Sequence, residues 1–180
     1  MAGNLWHSTT VICIRRGQSI AMAGDGQVTL GETIIKDNAV KIRKLFKETV
    51  LAGFAGSAAD AFALLEKFEI KLEEYAGDII KASVSLAKDW RLDKYLRQLE
   101  AMLIVANKKN TLIISGNGDI IEPEDNIAAI GSGASYARAA ALAFLSSNPE
   151  MEIKEIAYQS LKIASRICIY TNDSIIVEIM

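Results

Sequence analysis

Two adjacent threonines, Thr9 and Thr10, open a short apolar run, Val11-Ile12-Cys13-Ile14, and a Gly24-Asp25-Gly26 turn follows one strand later. A threonine hydroxyl is a weak nucleophile unless a base stands beside it. A free α-amine on the same residue is such a base, with an unperturbed pKa of ~7.7–8.0. Cleavage between Ser8 and Thr9 would give Thr9 hydroxyl and amine together, and with them acyl-transfer chemistry. Taken by themselves, the same residues favour a plainer reading, as β-formers at the start of an ordinary strand.

The elements around this segment follow from hydrophobic periodicity. Thr10 to Arg16 and Ser19 to Gly24 read as strands joined by a hairpin at Gly17-Gln18, with further strands at Thr33 to Ile35, Val40 to Ile42 and Val50 to Ala55. Ser57, with Asp60 three residues on, suggests a capping box for a helix that carries Phe62, Leu65, Leu72 and Tyr75 on one face. Gly77 is expected to end it and Asp78 to begin the next, through Ile79, Ala82, Leu86 and Trp90. Strand patterns return at Ala101 to Ala106 and Thr111 to Ser115. A Gly116-Asn117-Gly118 turn leads into Asp119 to Glu122. Ile127 to Ile130 ends in Gly131-Ser132-Gly133, two helices span Ala134 to Leu145 and Ile153 to Arg166, and Ser174 to Ile179 closes the chain as a strand. Strands, two helices, strands, two helices, strand is not the alternation of a parallel α/β fold. Two antiparallel sheets face to face, each covered outside by a helix pair, would bury every apolar face. The expected fold class is α+β, a four-layer α-β-β-α sandwich.

Composition narrows the function. A chain of 180 residues with 51% hydrophobic residues and mean hydropathy +0.20 suits one well-buried domain. No apolar run is long enough to cross a bilayer. A net charge of −2 and a pI near 5.5 argue against nucleic acid as a partner. Met1 to Ser8 has neither Lys or Arg nor an apolar stretch, so it does not read as a signal peptide, and a cytoplasmic location is expected. The two cysteines, Cys13 and Cys168, sit in apolar runs and read as core residues, not as a disulfide framework or zinc site. The one histidine, His7, lies in the segment expected to be removed, which argues against histidine-based catalysis.

Several stretches together carry a family resemblance: Thr9-Thr10, Ala23-Gly24-Asp25-Gly26-Gln27, Lys41, Ala52-Gly53-Phe54-Ala55-Gly56, Ala87-Lys88-Asp89-Trp90-Arg91, Ile130-Gly131-Ser132-Gly133 and Ile167-Cys168-Ile169-Tyr170-Thr171-Asn172. At this spacing they resemble the bacterial HslV (ClpQ) family of proteasome-β-like threonine peptidases, from Thr9 to about Glu178. The resemblance implies the N-terminal-nucleophile hydrolase type of α-β-β-α sandwich, with residues 1–8 as a propeptide-like extension and 9–180 as a single peptidase domain. It implies that Thr9 is the nucleophile and its α-amine the base, acting directly or through a water. Lys41 would then be the ammonium that lowers the pKa of both groups, Asp25 its acidic partner, Gly53 the oxyanion-hole N–H and Ser132 a proton relay near the amine. Main-chain carbonyls of Ser165, Cys168 and Thr171 would hold a sodium ion. The implied partners are the HslU (ClpY) AAA+ ATPase hexamer, which would activate the peptidase, and unfolded protein substrates. The implied assembly is a homododecamer of two stacked hexameric rings. No G-x-x-x-x-G-K-[ST] motif is present, so the chain is not expected to bind ATP itself.

Read without the family, Lys41 is an ordinary surface lysine, Asp25 a turn residue and Gly53 a glycine at a strand bulge. Gly131-Ser132-Gly133 could also open a dinucleotide loop, although Tyr136 stands where the third glycine belongs. Two features depart from the family. Eight residues precede Thr9, where many members begin with Met directly before the threonine, so a longer processing step or a different start codon is implied. Ser165 stands where the family usually has glycine; were a positive φ needed there, the residue would be strained and the cation site weakened. Two other functions share the fold: a non-catalytic ring subunit, which predicts damage among Thr9, Asp25, Lys41 or Gly53, and an N-terminal-nucleophile hydrolase of small amides.

Overall fold

A computed structural model describes residues 6–92, 101–115 and 117–180. Among these residues twelve strands and four helices follow one another as β1 (Trp6–Ser8), β2 (Thr10–Arg16), β3 (Ser19–Gly24), β4 (Val28–Leu30), β5 (Thr33–Lys36), β6 (Ile42–Leu45), β7 (Val50–Gly56), α1 (Ala58–Glu74), α2 (Ile79–Leu92), β8 (Ala101–Ala106), β9 (Thr111–Ile114), β10 (Ile120–Ile121), β11 (Ile127–Gly131), α3 (Ala134–Ser147), α4 (Ile153–Ser165) and β12 (Ile176–Ile179). They form a five-stranded sheet, β10-β9-β8-β7-β6, a four-stranded sheet, β11-β2-β3-β12, and a small three-stranded sheet, β1-β4-β5. Every strand pair described is antiparallel.

The near-continuous apolar runs are explained by sheets buried on both faces. In β2 and β3, Ile12, Ile14, Ala21 and Ala23 pack against α3 and α4, with Ala137, Ile156 and Leu161. Their alternates Val11, Cys13, Ile20 and Met22 point the other way, into a layer shared with Leu51, Ala55 and Ile104 of the second sheet. That sheet in turn lays Val50, Ala52, Phe54, Leu103 and Val105 against α1 and α2, with Leu64, Phe68, Leu86 and Trp90. The expected four layers are present, in the expected order.

Several local expectations change. Ser57 stands at the N-cap of α1 but makes no side-chain capping bond, so the capping box is not formed. Helix α1 closes one residue earlier than Gly77 suggests. Ala76 takes the left-handed conformation (φ 51), its N–H reaching Glu73 O, while the Gly77 N–H reaches Leu72 O. This is the paired bonding of a Schellman cap with alanine in the glycine position. Asp78 starts α2 as expected, its Oδ1 accepting the N–H groups of Ile80 and Lys81. The strand expected at Val40 to Ile42 begins only at Ile42, because the chain before it turns inward and buries Lys41. Strands β1 and β4, three residues each, are too short to show alternation and were not expected. Gly116 of the expected hairpin turn lies outside the described residues.

Candidate active site

Five segments meet at the start of β2. The Thr10 N–H donates to Asp25 Oδ1 at 2.7 Å, and the Asp25 N–H returns a bond to Thr10 O at 3.1 Å. Asp25 is 1% exposed, and its second oxygen accepts the N–H groups of Gln27 (3.0 Å) and Asn172 (3.2 Å). A buried carboxylate must be paired and hydrogen-bonded to stay charged. Lys41 completes the set: its ammonium lies 2.9 Å from Asp25 Oδ1 and donates to Gln27 O at 2.5 Å. Lys41 is 3% exposed, so the surface reading of this residue is wrong. Burial pushes its pKa down from 10.5, and the Asp25 carboxylate pulls the other way without cancelling the shift.

Thr9 is 3% exposed and has φ 101, a torsion that a β-branched residue rarely adopts. Two features hold it there. Its carbonyl accepts the Ser132 N–H at 3.1 Å, and Gly131 (φ 94) lies so close that a Cβ would collide with that carbonyl oxygen. Ser132 is exposed, and its backbone N–H is the donor to the Thr9 carbonyl. The Gly133 N–H donates to Thr10 Oγ1 at 2.9 Å, and a Cβ on Gly133 would meet Thr10 Oγ1 and Thr171 Oγ1 at 2.5 and 2.6 Å. The Gly133 end of this loop packs against the Thr10 and Thr171 hydroxyls, which stand where a dinucleotide loop needs its closest approach to phosphate.

Gly53 lies in the middle of β7, paired with Ile42 and Ile104. Its N–H, expected at the oxyanion, faces β8, because the Phe54 N–H next to it donates to Lys41 O on the β6 side. A Cβ at Gly53 would point into the layer between the sheets, 2.6 Å from Val11 Cγ1 and 2.8 Å from Met22 Sδ. Gly53 therefore sets the approach of its sheet to β2, the strand that Thr10 opens.

Ser165, Cys168 and Thr171 lie where α4 ends and the chain turns back to the site. Ser165 is not among the described residues with positive φ, so the strain considered for it is not present. The Cys168 carbonyl accepts the Thr171 N–H at 3.1 Å and keeps a second lone pair. Thr171 Oγ1 is 2.7 Å from Thr10 Oγ1. No group of three or more His, Cys, Asp and Glu is placed to hold a metal among the described residues. The oxygen donors of this turn are main-chain carbonyls at a helix C-terminus, which fit a hard monovalent cation and not a thiolate-seeking metal.

Three residues to which the sequence analysis gave no role join the site: Thr10, Gln27 and Asn172. Gln27 and Asn172 fall inside the stretches that carried the resemblance, but nothing local marks their side chains. Gln27 Nε2 donates to Thr29 Oγ1 and Ile169 O, both at 2.9 Å, tying the turn beside Asp25 to the segment after α4.

Residues 6–180 match the Proteasome subunit family. The chain is 60% identical over 171 residues to the ATP-dependent protease subunit HslV of Aquifex aeolicus (strain VF5), covering 95% of this chain and 97% of that protein. The chain belongs to the HslV branch of the proteasome-subunit family. The HslV protein of Treponema denticola is 58% identical over 171 residues, covering 95% and 96% of the two chains. The crystal structure of eukaryotic HslV from Trypanosoma brucei superposes with a TM-score of 0.88 at 43% identity, covering 94% of this chain and 98% of that one. Like the other members of the HslV branch, the chain is a protease subunit with the α-β-β-α fold. The expected family and fold class both hold.

Proposed function

We propose that this subunit is a threonine endopeptidase that uses Thr9 as its nucleophile once the residues before it are removed. The observation that carries this reading is the buried Lys41–Asp25 pair, hydrogen-bonded to the residue next to Thr9. A buried ammonium with a lowered pKa serves no packing purpose that an apolar side chain would not serve better. Beside a free α-amine, its charge favours the neutral, basic form of that amine. The amine takes the proton from Thr9 Oγ as the oxygen attacks the scissile carbonyl. Collapse of the tetrahedral adduct expels the amine product with that proton, leaving an ester on Thr9. Water then hydrolyses the ester with the same amine as base. The Ser132 N–H fixes the Thr9 carbonyl throughout, and the Ser132 hydroxyl relays protons at the amine.

The carbonyls of Ser165, Cys168 and Thr171 would hold a sodium ion, whose charge would brace the turn behind Thr10 and Asp25. The partner we propose is a hexameric AAA+ ATPase of the HslU (ClpY) type, which unfolds substrates, feeds them in and activates the peptidase. Two stacked hexameric rings of this chain in the cytoplasm would enclose the sites. No helix among the described residues is long and apolar enough to cross a membrane.

The test compares two genes, one full-length and one shortened so that Met directly precedes Thr9. Intact mass gives the N-terminus of each product, and fluorogenic peptide hydrolysis with the ATPase and ATP gives its activity. The shortened protein should begin at Thr9 and be active at once. Full activity in a protein that still carries Met1 to Ser8 would refute the mechanism, because an amide nitrogen at Thr9 is no base.

A further inference from the structure

Asn172 is the point where three separated segments are fastened together. Its N–H donates to Asp25 Oδ2 at 3.2 Å. Its Oδ1 accepts the N–H groups of Gly26 (2.9 Å) and Ser174 (3.2 Å), and its Nδ2 donates to Asp37 O at 2.8 Å. With two N–H donors facing one end of the amide and a carbonyl facing the other, its orientation is determined. Gly26 and Asp37 bracket the neck of the excursion that carries β4 and β5. The Ala39 N–H donates to Gly26 O at 2.8 Å, and a Cβ on Gly26 would collide with the Asp37 carbonyl. Both acceptors of the Lys41 ammonium, Asp25 Oδ1 and Gln27 O, belong to residues flanking Gly26, while the backbone of Lys41 continues from Asp37. Asn172 therefore holds the acceptors of the ammonium at one end of its side chain and the arm that delivers it at the other.

We propose that Asn172 is a positioning residue of the peptidase site, which aims the Lys41 ammonium by fixing the gap between the Asp25–Gln27 turn and the Asp37–Lys41 arm. The inference rests on the reading of Lys41 as the charge that tunes Thr9. A lysine stem has four rotatable carbons, so its head goes where its acceptors and its backbone are held. A displacement of about 1 Å at a reacting site costs on the order of 10²-fold in rate.

The experiment uses the mature enzyme with the ATPase and ATP on a fluorogenic peptide. Asn172→Ala should lower kcat by about 10–100-fold and leave KM within about twofold. The stoichiometry of Thr9 labelling by a peptide vinyl sulfone, read by intact mass, should not change. Asn172→Asp keeps the size and the acceptor for Gly26 and Ser174 but removes the donor to Asp37. It should show the same kcat loss, with assembly of the variant checked by native mass. The deciding measurement is the double-mutant cycle, with labelling rates read over hours where turnover is too slow. In a Lys41→Ala background, Asn172→Ala should slow labelling by less than about twofold, because its effect runs through the missing ammonium. Equal losses from Asn172→Ala in both backgrounds, or unchanged kcat in both Asn172 variants, would overturn the proposal while the Lys41 reading stands. A silent Lys41→Ala would sink both, and is told apart by that single variant.

Discussion

The Lys41 ammonium and the Thr10 N–H share one oxygen of Asp25, at 2.9 and 2.7 Å. The two partners of this buried pair are not equally dependent on each other. Without Lys41, Asp25 keeps three backbone N–H donors, from Thr10, Gln27 and Asn172. Without Asp25, Lys41 keeps only the Gln27 carbonyl among the acceptors described. Lys41→Ala should therefore lower peptidase turnover by ~10²–10⁴-fold with the assembly intact. Asp25→Asn turns an amide NH₂ or a neutral oxygen toward those donors and leaves the ammonium unpaired. It should cost about 3–5 kcal/mol of stability as well as activity. Thermal unfolding and peptide turnover of the two variants separate the cases; equal melting temperatures would contradict the asymmetry.

The lowered pKa of Lys41 fixes the sign of a pH effect. The ammonium is charged and effective below that pKa and is lost as pH rises through it. The alkaline limb of kcat/KM should then fall below 10.5, the ordinary lysine value. Across the same window the unfolded chain still holds the proton that the folded chain has released, so the Lys41 contribution to stability rises with pH. A profile flat up to 10.5 in the mature enzyme would show that the limb does not belong to Lys41.

Gly53→Ala should destabilise the sandwich, because the new methyl meets Val11 Cγ1, on a stiff β-branched side chain, at 2.6 Å. Overpacking of this kind costs about 1–3 kcal/mol. Val11→Ala made together with Gly53→Ala should recover most of the melting temperature. If the double variant melts no higher than Gly53→Ala alone, the glycine is not there for sheet packing.

Thr9→Ala keeps the strand and removes the hydroxyl, so peptide hydrolysis should vanish while ATPase binding persists. Thr9→Ser retains the hydroxyl and should keep measurable activity. Hydrolysis by Thr9→Ala at the wild-type rate would assign the chemistry to another residue.

Cys13 should be inert. Burial pushes its thiol up to about 12, and no disulfide partner is present: the two cysteines are both free and buried. Iodoacetamide at about pH 8 should leave Cys13 unmodified in the folded protein and label it after denaturation. Labelling of the native enzyme at Cys13 would mean that the layer between the sheets opens to solvent.

The sandwich was legible because its strands carry apolar residues on both faces and its helices keep a regular stripe. Boundaries were read less well where the decisive bond is distant or the residue atypical, as with Ala76 in a position that favours glycine. Lys41 illustrates why the site was harder. A lysine in a mixed stretch reads as a surface residue, and only the family resemblance marked it, because its burial depends on a carboxylate 16 positions away. Asn172 carried no mark as a positioning residue at all. Its partners Gly26, Asp25 and Asp37 lie 146, 147 and 135 positions from it, and no periodicity links them.

The φ of 101 at Thr9 is a torsion about the bond between its nitrogen and Cα, measured from the carbonyl carbon of Ser8. It exists only while Ser8 is attached. A backbone held in such a region carries about 1–3 kcal/mol, and cutting the Ser8–Thr9 bond removes the atom that defines it. Rejoining the two residues would have to restore that torsion against the grip of Gly131 and Ser132. Maturation at this position would then act as a ratchet, with the new N-terminus relaxed in the place where the uncut chain was twisted.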